Sequence, residues 1–382
     1  MKKIACIAAA LAWGAALLVP STSFAQEGTS TTATGISRAM NPAISVNTLL
    51  LGQVSRDDPS REANNIDLQE SEIQFTSIVD PFWTADLVIA VHPEHGHEEE
   101  GHEGEESHGY ALDIEVAKVE YRNMPRGLGL VIGKDYLNFG KHNPLHTHQF
   151  AFVEAPIGVQ AFLGDHGLSG VGAEAAWNVP LPWFAELSGY AANSPAEIFD
   201  PESRDLVYGG RLTNLWDTSD ASTVEFGLSG FTGPGAGHED EPGGRLATYG
   251  ADLTFKWLSM SRSQGPALNW TNEVLLPDPA EKEGDPLGFY SHLQYRFARQ
   301  WWFGAGYSRA NDFELHEHEE PATDDGLLTV NEYKGNFTWT PSEFSAVRLE
   351  AWYQKDTTGE YEDLGVGLQV NFTIGSHPAH LY

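Results

Sequence analysis

From about residue 43 onward, hydrophobic and polar residues alternate in short segments. In residues 362–374, Leu364, Val366, Leu368, Val370, Phe372 and Ile374 share one side of an extended chain, and Asp363, Gly365, Gly367, Gln369, Asn371 and Thr373 share the other. Tyr249, Ala251, Leu253, Phe255 and Trp257 likewise oppose Thr248, Asp252, Thr254 and Lys256. Val347, Leu349, Ala351 and Tyr353 oppose Arg348, Glu350 and Gln354, and Tyr333, Phe337 and Trp339 oppose Glu332, Lys334 and Asn336. A period of two is that of a β-strand with one apolar and one polar face. Sixteen such segments are predicted: 43–54, 66–79, 84–92, 110–122, 127–137, 169–178, 183–192, 206–215, 222–232, 246–257, 267–276, 287–297, 301–310, 327–339, 344–355 and 362–374.

Alternation alone does not say whether the apolar faces meet a second sheet or lipid. The connections separate the two cases. Tight turns are predicted at Asp80-Pro81, Met124-Pro125-Arg126, Pro180-Leu181-Pro182, Asp217 to Ala221, Ala298-Arg299-Gln300 and Pro341-Ser342-Glu343. Between them lie long polar loops at 55–65, 93–109, 138–168, 193–205, 233–245, 277–286 and 311–326, with 258–266 intermediate. Long loops at one end and short turns at the other are the asymmetry of an outer-membrane barrel. In lipid no strand edge can be left unpaired, so such a sheet must close. The predicted fold is all-β, a transmembrane antiparallel β-barrel of about 16 strands over residues 43–382. Phe82, Trp83, Trp183, Trp216, Trp257, Trp301, Trp302 and Trp339 stand beside the short turns, where an interfacial aromatic belt belongs.

The first residues read differently. Lys2 and Lys3, the apolar run Ile4 to Val19 and Ser23-Phe24-Ala25 form the pattern of a cleaved export signal over 1–25, with a flexible periplasmic leader over 26–42. The single cysteine, Cys6, lies inside that signal, so the mature chain is expected to have neither disulfide nor thiolate site. The formal net charge of -32 excludes a nucleic-acid partner, which needs a basic footprint. The expected location is the outer membrane of a Gram-negative cell. The expected partners are outer-membrane lipid and lipopolysaccharide and small solutes or metal ions, with a homotrimer as a possible assembly.

The stretch Gly133-Lys134-Asp135-Tyr136-Leu137-Asn138-Phe139-Gly140-Lys141-His142-Asn143-Pro144, continuing through His146-Thr147-His148 to Phe152-Val153-Glu154-Ala155-Pro156, resembles a segment of the phosphate-selective Gram-negative porins. There a strand runs into Phe-Gly and then a long loop. The stretch is also similar to uncharacterised outer-membrane proteins with His-rich loops. The resemblance implies a porin passing small solutes, without enzymatic activity. A phosphate-selective porin carries a basic ladder, whereas the lumen predicted here is mixed. Arg211, Lys256, Lys334 and Arg348 face Glu186, Glu225, Asp252, Glu273, Glu332 and Glu350, with His292 on the same lining.

Histidine placement is the main chemical signal. Of 15 histidines, all but His292, His377 and His380 fall in or at the edge of the predicted long loops. His92, His95, His97, His102 and His108 lie among glutamates with no lysine or arginine between them. His95-x-His97, His146-x-His148 and His316-x-His318 each place two imidazoles on one side of an extended backbone. Together with His142, these are the candidate metal ligands. Imidazole with carboxylate suits Zn²⁺, Ni²⁺ or Cu²⁺, so the loops are expected to gather divalent cations weakly, zinc foremost, with no cofactor required. The alternative is a solvated acidic loop with no site.

Loop 138–168 carries Phe150, Phe152, Val153, Ile157, Val159, Phe162 and Leu163, too apolar to hang in water. It is expected either to fold into the lumen or to cap it from outside. Folded inward, it would bring His142, His146, His148, Glu154 and Asp165 to a constriction. Enzyme motifs are poor: His97-Glu98-Glu99-Glu100-Gly101-His102 misses the HExxH spacing, and there is no GxSxG. The rival readings are a surface adhesion barrel with a plugged lumen, a barrel-embedded hydrolase and a soluble β-sandwich array.

Overall fold

A computed structural model describes residues 42–56, 64–93, 109–164, 166–236, 244–259, 265–278, 286–314, 327–359 and 361–375. The expected signal and nearly all of the leader lie outside these residues. Sixteen strands follow in chain order. They are β1 (Ala43–Ser55), β2 (Ile66–Ile78), β3 (Trp83–Pro93), β4 (Tyr110–Tyr121), β5 (Leu128–Tyr136), β6 (Ser169–Asn178), β7 (Phe184–Asn193) and β8 (Val207–Ser219). Then come β9 (Ser222–Pro234), β10 (Arg245–Leu258), β11 (Ala267–Pro277), β12 (Leu287–Ala298), β13 (Trp301–Glu314), β14 (Leu327–Ser342), β15 (Ser345–Asp356) and β16 (Glu362–Gly375). Each strand pairs antiparallel with its chain neighbours. β1 pairs β16 from Ser45↔Gly375 to Ser55↔Gly365, so the barrel closes.

Closure rules out the sandwich array, which has two open sheets. The faces agree with a lipid-covered wall. Leu364, Val366, Leu368 and Ile374 point outward and are 41–61% exposed, while Gln369 on the inner face is 4% exposed. Glu273, Glu332 and Glu350 are all but fully buried inside. A water-soluble domain sorts these residue types the other way round. Outside, Trp301 stacks on Trp339, and Trp183 packs against Trp216 near the short-turn end.

Three sequence readings need correction. Trp302 leaves the aromatic belt: it sits on the inner face of β13, with the Arg296 guanidinium 5.2 Å from its ring. The predicted turn Asp217 to Ala221 shrinks to Asp220 and Ala221, because β8 stays paired through a register shift to Ser219↔Ser222. β14 also runs on past residue 339, to Ser342↔Ser345, across an irregularity after Trp339. Polar residues at these strand ends hid ladders that continue past the apolar period.

The outward face should tolerate no charge. Leu368→Arg is expected to destabilise the barrel by about 2–4 kcal/mol near the middle of a bilayer. Urea-driven unfolding from lipid vesicles measures it; an unchanged midpoint would mean that lipid does not cover this face.

Candidate functional site

The connection from β5 to β6 enters the barrel. Asn143 ties its two ends together: Nδ2 donates to the Leu137 and Leu168 carbonyls at 2.8 and 2.9 Å, and Oδ1 accepts from Leu168 N–H at 2.6 Å. Leu137 N–H adds a bond to Leu168 O at 2.8 Å. The loop's α-helix, α1 (Ile157–Leu163), packs against β12 and β13. Phe139, Phe162, Leu163 and Leu168 of the loop bury with Phe231, Leu275 and Tyr290 of the wall in an apolar core inside the barrel.

The rest of the loop is backbone inside a wall, so each buried amide needs an acceptor. The wall's carboxylates and hydroxyls supply them. Gly140 N–H donates to Ser229 Oγ at 3.0 Å. Lys141 and His142 N–H both donate to Glu273 Oε2, at 3.0 and 3.1 Å, and Tyr290 OH donates to the same oxygen at 3.0 Å. Val153 N–H reaches Glu350 Oε2 at 3.0 Å, and Gly158 N–H reaches Ser308 Oγ at 2.9 Å. Asn336 and Arg348 return donors to the Ala151 and Phe150 carbonyls, both at 2.9 Å. Hydrogen bonds to charged acceptors are worth about 1.5–3 kcal/mol each, so the loop is held from several sides.

These contacts change what the expected pore-lining residues do. Glu273, Glu332 and Glu350 do not form an open ring of carboxylates facing a channel. Glu332 accepts the ammonium of Lys334 at 3.1 Å and the amide of Gln354 at 2.9 Å. Arg211 grips Asp252 through both terminal nitrogens, at 2.7 and 2.9 Å. Lys141 reaches Glu225 at 2.7 Å. Glu186 and Lys256 are half-buried on the inner faces of β7 and β10. His292 is buried between Phe152 and Tyr290, with ring centroids at 4.4 and 4.7 Å.

The expected metal ligands divide. His95, His97, His102, His108, His316 and His318, with Asp165, lie outside the described residues. His92 pairs with Asp113 at 2.7 Å, at the long-loop end of β3. His142 is buried against Phe150 and Tyr290. Burial, helped by the charge on Lys334, pushes its imidazole down to about 3. His146 and His148 stack at 5.7 Å and both turn Nδ1 toward Glu72, at 3.6 and 3.0 Å. Nδ1 of His146 is also 3.1 Å from Glu115 Oε2. Burial alone would depress His146, but the hydrogen bonds and charges of Glu115 and Glu72 outweigh it and hold the imidazole up at about 10.

Sequence reasoning missed Glu70, Glu72, Glu115, Tyr136 and Asn143. The one signal available was Glu70-Ser71-Glu72, which puts two carboxylates on one face of a predicted strand, opposite the face of Ile73 and Phe75. Below the loop, toward the short turns, a cavity of about 520 Å³ remains, lined by His148, Arg296, Trp302, Asn336, Arg348 and Asn371 among others.

A closed barrel of sixteen antiparallel strands, lipid-facing outside and polar within, is the fold of outer-membrane barrels. Solved structures agree. The chain is similar to OprB of Pseudomonas putida (TM-score 0.58, 10% identity, covering 88% of this chain and 94% of that one). It is similar to OmpT of Vibrio cholerae (TM-score 0.54, 9% identity, covering 89% and 99%). It is also similar to an anion-selective porin from Comamonas acidovorans (TM-score 0.54, 9% identity, covering 87% and 100%). No protein-family model matches. An uncharacterized protein of Aquifex aeolicus (strain VF5) is 27% identical over an alignment of 305 residues, and the match covers 70% of this chain and 63% of that protein. The chain thus matches less than two thirds of that relative's length.

Two outcomes follow from the loop's seating. Gly140 has φ +62, and a Cβ there would fall 1.7 Å from Glu273 Oε1. Gly140→Val should unseat the loop and speed trypsin cleavage after Lys141 in the micelle-folded barrel; a bond as protected as in wild type would contradict the seating. The second is a pH effect. The folded loop keeps His142 neutral, so its contribution is whole above the ordinary value of 6.5 and fades as pH falls toward about 3. The loss is about 1.4 kcal/mol per pH unit. His142→Gln should flatten the urea midpoint between pH 6 and 4, and an equally steep acid limb would refute the assignment.

Proposed function

We propose that this protein is an outer-membrane porin that passes small polar solutes past an inward-folded constriction loop. Its role on this reading is passage rather than turnover. The observation that carries it is the 137–168 connection lodged across the lumen, with the cavity of about 520 Å³ left beneath it. A constriction built on rigid wall contacts sets a size limit, and the groups that line the space beside it set a preference. Three arginines, Arg296, Arg299 and Arg348, line the inner cavity, against the one carboxylate of Glu343. Mixed charge along the whole lumen does not favour phosphate in particular.

On this reading the acidic, His-rich outer loops gather divalent cations, zinc foremost, at the mouth. A negative field raises the local cation concentration, and imidazole adds preference for borderline metals over Ca²⁺ and Mg²⁺. A homotrimer in the membrane fits the same class of barrel, one OmpT structure of Vibrio cholerae being described as a trimer form.

The plugged adhesion barrel is the second reading, favoured by the apolar core that the loop forms inside β7 to β12. Planar-bilayer recording of the purified chain separates the two. Discrete conductance steps are expected, larger in Gly140→Val; silence in both proteins would leave the plugged barrel. Replacing residues 94–108 with a short Gly-Ser turn should lower zinc uptake at limiting zinc, and unchanged uptake would remove the metal-gathering role.

A further inference from the structure

Where the loop crosses β2 and β4, three carboxylates meet, each with one oxygen already engaged. Glu72 Oε1 is held by His148 Nδ1 at 3.0 Å. Glu115 Oε1 accepts Tyr136 OH at 3.1 Å. Glu70 Oε2 accepts Thr147 Oγ1–H at 3.0 Å. Each carboxylate is therefore fixed by one oxygen and leaves the other toward the centre. Glu72, Glu115 and His146 each offer one ligand atom within 4.8 Å of the other two, and His146 Nδ1 faces Oε2 of both carboxylates. Glu70 Oε1, on the same face of β2 as Glu72, is buried with no hydrogen-bond donor.

We propose that Glu72, Glu115 and His146 form a divalent-cation site, with Zn²⁺ as the best-matched ion, that latches the constriction loop to the barrel wall. Three features support it. The first is spacing. Tetrahedral zinc with bonds of about 2.0–2.1 Å places its ligand atoms about 3.3–3.4 Å apart. His146 Nδ1 stands 3.1 Å from Glu115 Oε2 and 3.6 Å from Glu72 Oε2, which bracket that edge. The second is the outer layer. Ligands held by further hydrogen bonds, as His148 and Tyr136 hold theirs, are what fixes ligand orientation in metal sites. The third is the unsatisfied Glu70 oxygen, a buried acceptor beside the site that a cation would satisfy. Imidazole nitrogen among carboxylates selects borderline metals, whereas Ca²⁺ takes six to eight oxygens at longer range.

The latch would be a different thing from the outer loops. It deepens the metal-gathering reading by giving the ion a structural task inside the barrel, on described residues. Its ligands come from two wall strands and the loop, so ion occupancy and loop position are linked. A site that binds only the seated loop must stabilise that seating.

The test uses the full chain folded in detergent, stripped of metal with a chelator, and a version carrying the Gly-Ser turn in place of 94–108 with His316→Gln and His318→Gln. That version removes the outer histidine pairs but keeps the proposed site. It should still bind one Zn²⁺ by titration calorimetry and give the intense visible bands of tetrahedral Co²⁺. Glu115→Gln in that background should weaken binding at least tenfold and remove the Co²⁺ bands. Zn²⁺ should also slow trypsin cleavage after Lys141 in the parent and not in Glu115→Gln. If Glu115→Gln fails to fold, as judged by heat-modifiable migration, His146→Gln serves in its place. No binding in the loop-replaced chain, or equal affinity in the variants, would mean that a proton alone bridges these groups and would overturn the proposal. Conductance does not enter these readouts, so the latch and the porin reading fail separately.

Discussion

Every backbone donor and acceptor removed from water must find a partner, and this constraint shapes the protein twice. In lipid it forces the strands into one closed ladder, because an unpaired edge costs several kcal/mol for each orphaned group. Inside the barrel it acts on the long connection between β5 and β6. That segment has little regular structure, so only some of its amides, in α1 and in its turns, find carbonyls within the loop. The wall supplies acceptors instead, and the strongest of them are carboxylates.

This explains why Glu273, Glu332 and Glu350 can be buried at all. An isolated carboxylate in such a place would be expelled or neutralised. Here Glu273 takes two loop amides and a phenol, Glu350 takes a loop amide, and Glu332 takes an ammonium and a side-chain amide. The acidic lining is thus part of the loop's seat. It follows that the net charge of -32 is a poor guide to the charge that lines the barrel interior. Beneath the loop the lining includes Arg296 and Arg348, which are also tied to backbone carbonyls.

The strands were legible in the sequence because lipid demands a strict period of two, and a sheet buried in lipid cannot slip by one residue without exposing every polar side chain. Leu364 to Ile374 is the clearest case. Strand ends were less legible: β8 and β14 continue through polar residues whose pairing depends on the neighbouring strand. Trp302 was misassigned because Trp301 and Trp302 are adjacent, so only one of them can face lipid. Whether loop 138–168 turns inward depends on contacts with most of the wall, and no local pattern carries that. Phe139-Gly140 marks the start of the loop, but only the clash with Glu273 reveals why glycine is needed there. Glu72 and Glu115 sit on strands separated by β3, and their meeting at His146 is set by how the loop descends, not by any spacing along the chain.

The loop is held by unlike forces at its two sides, and that difference has consequences for motion. Toward β7 to β13 it is fixed by apolar burial around Phe139, Phe162 and Leu163, and by close backbone approach: a Cβ on Gly288 would fall 2.0 Å from Gly158 O. Polar contacts are present there too, Lys141 on Glu225 and two loop amides on Glu273, but the apolar packing itself is insensitive to ions. Toward β2 and β4 it is fixed by charge, through His146, His148 and Thr147 on Glu72, Glu115 and Glu70. Electrostatic contacts respond to protons and cations, whereas a close-packed core resists small displacements. Any partial opening of the lumen should therefore begin at the polar side and hinge on the apolar one. The loop is then displaced most readily where the carboxylates and imidazoles of β2, β4 and the loop meet.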